Sequence, residues 1–389
     1  MKVKTKICNV PKLRFPEFRD TKEWQEKQLH SICQMKAGKF ISASKINIQP
    51  LEGLHPCYGG NGLRGFTHEY SHSGEYSLIG RQGALCGNVT FANGRFYATE
   101  HAVVVYPNKK VSNKWLFYCL NNLNLNQYAI GQAQPGLAVN FLEKIVIQIP
   151  EQEKEQQKIA ECLSSLDSII SLQMQKIDAL QQYKKGLMQN LFPSEGETAP
   201  ELRFDGISDI AVRNEANLSS ICYMKAGKFI SASEINTQFA EGLYPCYGGN
   251  GLRGFTKVFS HNGGFSIIGR QGALCGNVIF ADGDFYATEH AIVVTPKKKI
   301  NKKWLFYCLT HLNLNQYATG QAQPGLSVNV LEKIVVNYPV KEKEQQKIAE
   351  CLSSLDELIT LEIQKLAALK THKTGLMQQL FPSMDEVNA

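Results

Sequence analysis

Most of this chain is written twice. KAGKFISAS starts at Lys36 and again at Lys225, PCYGGNGLRGF at Pro56 and Pro245, and IGRQGALCGNV at Ile79 and Ile268. YATEHA starts at Tyr97 and Tyr286, GQAQPGL at Gly131 and Gly320, and EKEQQKIAECLSSLD at Glu153 and Glu342. Every pair is 189 positions apart, so nothing is inserted or deleted between the copies. That period lies far above the ~20–50 residues of solenoids and propellers. The 389 residues therefore read as a tandem duplication of one large unit, enough chain for two or three domains.

Each copy has two parts. The first is rich in glycine, aromatics and short apolar runs such as HAVVVYP and HAIVVTP, which read as strands between turns. A helix is expected at KWLFYCLNNLNLNQYA, with Trp115, Tyr118, Leu123 and Tyr128 on its buried face. This part is α+β in class. It spans residues 1–150 in the first copy and 193–339 in the second, and the second parts span 151–192 and 340–389.

The second part has a different period. From Glu151 to Leu191 there is no proline and one glycine, and Pro150 and Pro193 bracket the stretch. Positions alternately four and three apart are Ile159, Leu163, Leu166, Ile170, Gln173, Ile177, Leu180, Lys184, Leu187 and Leu191, of which eight are apolar. The second copy repeats the seam at Ile348, Leu352, Leu355, Ile359, Glu362, Leu366, Leu369, Lys373, Leu376 and Leu380. Sustained heptads argue for a coiled coil. A helix of about 40 residues is roughly 60 Å long. The polar breaks, Gln173/Glu362 and Lys184/Lys373, fall at the same places in both copies and suit a role in register. Two such helices in one chain suggest pairing within it. An antiparallel pair would put the globular parts at opposite ends and a parallel pair would put them side by side; the spacing does not choose.

Charge and cysteine usage narrow the setting. The net charge is +7, and residues 1–150 carry +9 of positive excess against +1 for residues 193–339. A positive balance favours an anionic partner. Ten of the eleven cysteines form five pairs at the repeat offset, and Cys8 is left over. None lies in a CxxC, so zinc is disfavoured. An odd count fits reduced thiols in a cytoplasm. MKVKTKICNV lacks an apolar core, so no secretory leader is expected, and no apolar run is long enough to span a membrane.

The duplicated loops hold the candidate chemistry. YGGNGLRG lacks the GK[ST] ending of a phosphate loop and does not open a helix-like run. Its plain alternative is a tight turn. As a nucleic-acid loop it offers more: glycines for close backbone approach, Tyr58 for stacking, Asn61 for an adenine edge and Arg64 for guanine or phosphate. Arg81 and Gln82 in IGRQG are likewise base-reading types, weighed against a strand end with a surface arginine. Lys36 and Lys39 suit phosphates, weighed against a solvated loop. Glu100 and His101 invite a catalytic reading, but no nucleophile or second carboxylate recurs beside them, so His101 is taken as structural or DNA-facing. Cys86 reads as a small packing residue, and Gln132 and Gln134 as polar loop residues that could meet bases. The second copy supplies Lys225, Lys228, Tyr247, Asn250, Arg253, Arg270, Gln271 and His290. The charged start of each long helix, EKEQQKIAE, reads as a solvated face.

The order of globular part, long helix, globular part, long helix resembles the specificity subunit of type I restriction–modification systems. The likeness covers nearly the whole chain. Its most telling local match is PKLRFPEF at Pro11–Phe18 followed by Trp24 and Leu29; the second copy has PELRF at Pro200–Phe204, then Arg213 in place of Trp24 and Leu218. The helix ends GLMQNLFP and GLMQQLFP also match. The departure at Arg213 implies different packing there.

The resemblance implies two target recognition domains joined by spacer helices that pair as an antiparallel coiled coil. It implies a subunit with no chemistry of its own, binding two half-sites on double-stranded DNA. Two adenine-N6 methyltransferase subunits would bring S-adenosylmethionine, and restriction subunits would bring ATP and Mg chemistry. The EKEQQKIAE segments would be a docking candidate for the methyltransferase subunits. In this family the two recognition domains usually differ; here the reading loops are identical, so an interrupted palindrome is expected as target. Among the positions that do differ are Lys45/Glu234, His55/Tyr244, His68/Lys257 and Arg95/Asp284. The rival reading is a coiled-coil scaffold with nucleotide- or ligand-binding heads, which nucleotide titration without DNA would expose.

Overall fold

The computed structural model describes residues 10–131, 135–194, 197, 199–204, 213–272, 274–320 and 324–382. The expectations for Cys8, for Gln132 and Gln134 and for the C-terminal tail lie outside them. The chain divides into two compact units, residues 1–174 with 365–389, and residues 175–364.

In the first unit the strands are β1 (Gln25–Gln28), β2 (Cys33–Ala37), β3 (His55–Gly59), β4 (Gly62–Thr67), β5 (His72–Ser73), β6 (Tyr76–Gly80), β7 (Val89–Ala92), β8 (Arg95–Ala98), β9 (Ala102–Pro107) and β10 (Val146–Ile149). The helices are α1 (Leu29–Ile32), α2 (Asn113–Asn122), α3 (Val139–Leu142) and the long α4 (Glu153–Leu191), of which the residues up to 174 belong to this unit and the rest to the second. The strands form a sheet of order β2-β9-β6-β7, a sheet of order β4-β3-β8-β5 and the pair β1-β10. The second unit repeats this with β11 (Arg213–Asn217), β12 (Cys222–Ala226), β13 (Tyr244–Gly248), β14 (Gly251–Thr256), β15 (His261–Asn262), β16 (Phe265–Gly269), β17 (Val278–Ala281), β18 (Asp284–Ala287), β19 (Ala291–Pro296) and β20 (Val335–Pro339). Its helices are α5 (Leu218–Ile221), α6 (Lys302–His311), α7 (Val328–Leu331) and the long α8 (Glu342–Leu380), of which the residues up to 364 belong to this unit and the rest to the first.

HAVVVYP is a strand, and its unbroken apolar run has a cause. Val103 and Val105 enter the main core with α2, while Ala102 and Val104 enter a smaller cluster around Phe96. A strand covered on both faces carries no polar alternation. The helix expected at KWLFYCLNNLNLNQYA is shorter than the pattern suggests. Ser112 caps α2 by accepting from the Trp115 N–H, and Trp115, Tyr118 and Leu123 are buried. Asn124 then adopts a left-handed φ of 46°, and Leu125–Tyr128 continue as a 3-10 turn. Asparagine tolerates that conformation and is a weak helix former, so the NNLNLN run breaks the helix.

The heptad seam is real. All twenty seam positions are buried or half-buried. Within the second unit, Lys176 pairs with Glu362 and Lys184 with Asp356, so moving forward on α4 means moving backward on α8. Within the first unit, Asp167 meets Lys373, and Ile159 and Leu163 share a core with Leu376 and Leu380. The segments run antiparallel in each unit.

The lysine breaks also tie helices to heads. Asp167 accepts from Lys373 Nζ at 2.5 Å and from the Tyr118 hydroxyl at 2.7 Å. Asp356 accepts from Lys184 Nζ at 2.5 Å and from the Tyr307 hydroxyl at 2.7 Å.

One reading of the helix starts needs correcting. EKEQQ is not simply a solvated face: Glu155, Gln156, Glu344 and Gln345 are buried. Arg14 of the PKLRF segment donates to both Glu155 oxygens, at 2.7 and 2.8 Å, and Trp24 Nε1 donates to the same carboxylate at 3.1 Å. Gln156 accepts from the Ser112 N–H and donates to the carbonyls of Lys110 and Pro150. Gln345 does the same for Asn301, Lys299 and Pro339. These side chains use their polarity to bind the head's backbone to the helix start. Aromatic packing differs between copies, as the loss of Trp24 implies. Phe381 packs on Trp115 as Phe192 packs on Trp304, but Trp24 lies edge-on to both Trp115 and Phe381, whereas in the second unit Phe192 stacks on His311.

Candidate functional site

PCYGGNGLRGF is a β-hairpin. Gly59 pairs with Gly62 across a two-residue turn, Gly60–Asn61, and the register shifts at Cys57/Tyr58 opposite Gly65. Gly62 has φ +87°, which favours glycine. A strand, not a helix, follows the glycines, so no helix N-terminus is available to cradle a phosphate. The turn exposes Asn61, and the following strand exposes Leu63 and Arg64.

This hairpin is seated on the end of β6. A Cβ on Gly80 would lie 1.9 Å from the Gly60 carbonyl oxygen, and one on Gly60 would lie 2.6 Å from the Gln82 oxygen. The backbones therefore touch, which only glycine permits. The Arg81 N–H donates to the His101 carbonyl at 3.0 Å, and the Arg81 carbonyl accepts from Leu137 N–H. Four chain segments are locked together by main-chain contacts, independent of the side chains they present.

The second unit shows what this builds. Asn250, Arg253, Gln271 and His290 line one cleft of about 410 Å³ with Leu252 and the glycines 248, 249, 251 and 272. The same backbone contacts recur: a Cβ on Gly269 would lie 2.1 Å from Gly249 O, and Arg270 N–H donates to His290 O at 2.9 Å. All nine lining residues have an identical residue 189 positions earlier, at 59–64, 82, 83 and 101. None of the four differing positions named above is among them. The lining combines amide, guanidinium and imidazole groups on a floor of glycine, a set that can hydrogen-bond to base edges from close range.

A glutamate stands beside His101 and another beside His290. His101 Nε2 lies 3.2 Å from Glu100 Oε1, and His290 repeats this with Glu289. The other oxygen of each glutamate, and Arg81 Nε, are buried with no hydrogen-bond partner. Buried polar atoms without partners are costly, by about 1–3 kcal/mol each, so this hydrogen-bonding capacity stands unused within the chain.

The remaining candidates lie elsewhere. Tyr58 and Tyr247 are half-buried, edge-on to Phe96 and Phe285, and burial pushes their hydroxyl pKa up. Their rings pack in the smaller cluster and do not line the cleft of the second unit. Lys36 is exposed on β2, its ammonium 6.0 Å from the centre of the Tyr106 ring. Lys39 and Lys228 are held by N–H bonds to the Ala98 and Ala287 carbonyls. His72 and His261 have pKa values lowered first by burial and then by these lysines, with Lys225 adding to the effect on His261. The lysines thus form a cationic patch beside His72 and His261. Cys86 and Cys275 are buried packing residues, and the ten described cysteines are free. Burial pushes the Cys33 and Cys222 thiols up to about 12. Among the described residues no group of three or more His, Cys, Asp or Glu side chains gathers as a metal site needs, and no helix is long and apolar enough to cross a membrane.

Two residues escaped the sequence reading. Phe40 and Phe229 are each 76% exposed in the loop after the lysines. The only sequence signal is an aromatic between a lysine and a buried isoleucine, kept in both copies.

Comparisons with known proteins agree with this architecture. The family described as "Type I restriction modification DNA specificity domain" matches residues 21–182 and 214–371. The specificity subunit of type I restriction enzyme EcoprrI from Escherichia coli is 48% identical over 151 residues, 39% of this chain and 37% of that protein. A putative specificity subunit from Haemophilus influenzae is 31% identical over 123 residues, 30% of this chain and 32% of that protein. The chain thus spans about a third of the length of these two relatives. The MjaVIII specificity subunit of Methanocaldococcus jannaschii is 24% identical over 386 residues, covering 88% of this chain and 89% of that one. The crystal structure of a type I restriction–modification S subunit from M. genitalium superposes with a TM-score of 0.71 at 19% identity, over 96% of this chain and all of that chain, a likeness of fold.

Proposed function

This chain belongs to the family of type I restriction–modification DNA specificity domains, and from that premise we propose that it is the DNA-reading subunit of such a complex, acting in the cytoplasm without catalysis of its own. Two methyltransferase subunits supply S-adenosylmethionine and the adenine-N6 chemistry. Restriction subunits supply the ATP- and Mg-dependent cleavage. The chain supplies sequence choice.

Each cleft takes one half-site. Asn61 and Asn250 suit the N6/N7 edge of adenine, and Arg64 and Arg253 the O6/N7 edge of guanine. Gln82, Gln271, His101 and His290 extend the hydrogen-bonding set, and the glycine floor lets the duplex approach the main chain. Lys36, Lys39, Lys225 and Lys228 contact phosphates, which position the duplex without specifying sequence. Arg81 and Arg270, fixed by their main-chain bonds to the histidine segment, hold that segment under the cleft.

The observation that carries this reading is the identity of all nine cleft-lining residues between copies. Identical clefts read the same bases, so the target is one half-site read twice, an interrupted palindrome. Long-read methylation mapping, with the chain co-expressed with its methyltransferase, tests it. The expected result is one motif whose two halves are reverse complements. Two unrelated half-sites overturn the palindrome; no salt-dependent DNA binding by the chain with its methyltransferase overturns the function.

A further inference from the structure

We propose that Phe40 and Phe229 are wedges that enter the base stack beside each half-site and unstack one step; this rests on the DNA-reading function above. A phenylalanine at 76% exposure in both copies is not packing its own domain. Nor is its loop free to turn it inward. The Tyr97 hydroxyl donates to the Phe40 carbonyl at 3.1 Å, and the Tyr286 hydroxyl does the same for Phe229. Gly38 N–H donates to Ala102 O and Lys39 N–H to Ala98 O, both at 2.9 Å. A Cβ on Gly38 would lie 2.1 Å from the Ala98 oxygen, so the loop is pressed against the main chain. The next residue, Ile41, is buried with Cys57 and Tyr97. Cys57 belongs to the strand that leads into the Asn61 turn. The ring is therefore held out on a braced support joined to the hairpin that lines the cleft.

Its surroundings define the occupant. Lys36 and Lys39 are exposed on the same loop and strand, and Lys225 and Lys228 repeat them. An apolar ring flanked by cations matches a surface of stacked flat rings between phosphates. Apolar side chains of this type insert between base steps and kink the duplex. The ring has no hydrogen-bonding group, so it contributes through the deformability of the step it opens, complementing the polar cleft.

The test uses the full chain with its methyltransferase and duplexes carrying 2-aminopurine at successive positions of each half-site, leaving out the methylated adenine, which a methyltransferase extrudes. Wild type is expected to raise fluorescence at one step per half-site. The two halves of a palindrome are equivalent, so Phe40→Ala or Phe229→Ala alone should roughly halve the rise in either half-site and the double alanine variant should abolish it, each single change weakening binding roughly tenfold, as loss of a stacking contact does. Phe40→Leu, which keeps an apolar wedge, should retain part of the signal. A bound wild-type complex with no unstacked step, or an undiminished rise in the double alanine variant, overturns the proposal. So does a double variant whose only defect is failure to assemble with the methyltransferase, which would make the rings a protein contact. Absence of any wild-type DNA binding instead overturns the function itself.

Discussion

Arg14 grips Glu155 at two points, 2.7 and 2.8 Å, across 141 residues of sequence. Both side chains are buried, and the pair joins the segment before the first head to the first turn of the long helix α4. Trp24 adds a third hydrogen bond to the same carboxylate. Arg14→Met leaves a buried carboxylate without its cation, a change that costs about 3–5 kcal/mol. Arg14→Met with Glu155→Leu removes both charges and should recover part of that loss. Urea denaturation of the three proteins checks it; equal stability of wild type and Arg14→Met would contradict the role assigned to the pair.

Tyr118 and Tyr307 hold the long helices to the heads through Asp167 and Asp356. Tyr118→Phe should cost about 1–2 kcal/mol, the range of a hydrogen bond to a charged group that is partly solvated. Combined with Lys373→Met its effect should be non-additive by at least about 0.5 kcal/mol, since both donors share one carboxylate. A double-mutant cycle in urea gives the coupling directly, and strict additivity would separate the two contacts.

Gly80 and Gly60 fix the hairpin by backbone contact, so Gly80→Ala forces the turn that presents Asn61 to move. The fold should lose about 1–3 kcal/mol by overpacking. DNA affinity should drop by tenfold or more, on the order of 1.4 kcal/mol, at a temperature where the variant stays folded. Gly269→Ala should act equally on the second cleft. Binding titrations beside thermal melts distinguish a displaced hairpin from general unfolding.

His311 stacks on Phe192 with ring centres 5.3 Å apart, where the first copy has Asn122. Burial lowers its pKa, opposed by a backbone hydrogen bond at Pro193. The folded state thus favours neutral imidazole. Its contribution is present above the unfolded value of about 6.5. It is lost as pH falls through the lowered folded pKa, because the unfolded chain then binds the extra proton. His311→Asn should flatten the decline in stability between about pH 7 and pH 5. His72 and His261 are lowered as well and leave a residual slope. Urea midpoints across that range for wild type and variant are the measurement; parallel curves would remove His311 from the account.

Much of this protein was legible in its letters. The duplication shows as a constant offset of 189 residues, the strand HAVVVYP as a short apolar run, and the seam from Ile159 to Leu191 as local periodicity; each is read along the chain and needs no knowledge of a distant contact. The antiparallel choice did not follow from spacing, because a heptad seam serves either direction; it becomes visible in Lys184 meeting Asp356. Tertiary structure alone decided which polar residues are inside. Glu155 and Gln156 sit among charges and read as solvated, yet they are buried because Arg14, Trp24 and the Ser112 backbone arrive from far along the chain. It also sorted the candidates, gathering Asn250, Arg253, Gln271 and His290 in one cleft and leaving the lysines on another patch. Residue type states what a side chain can bond to; which groups meet depends on where glycines let two backbones touch, and that is a property of the folded chain.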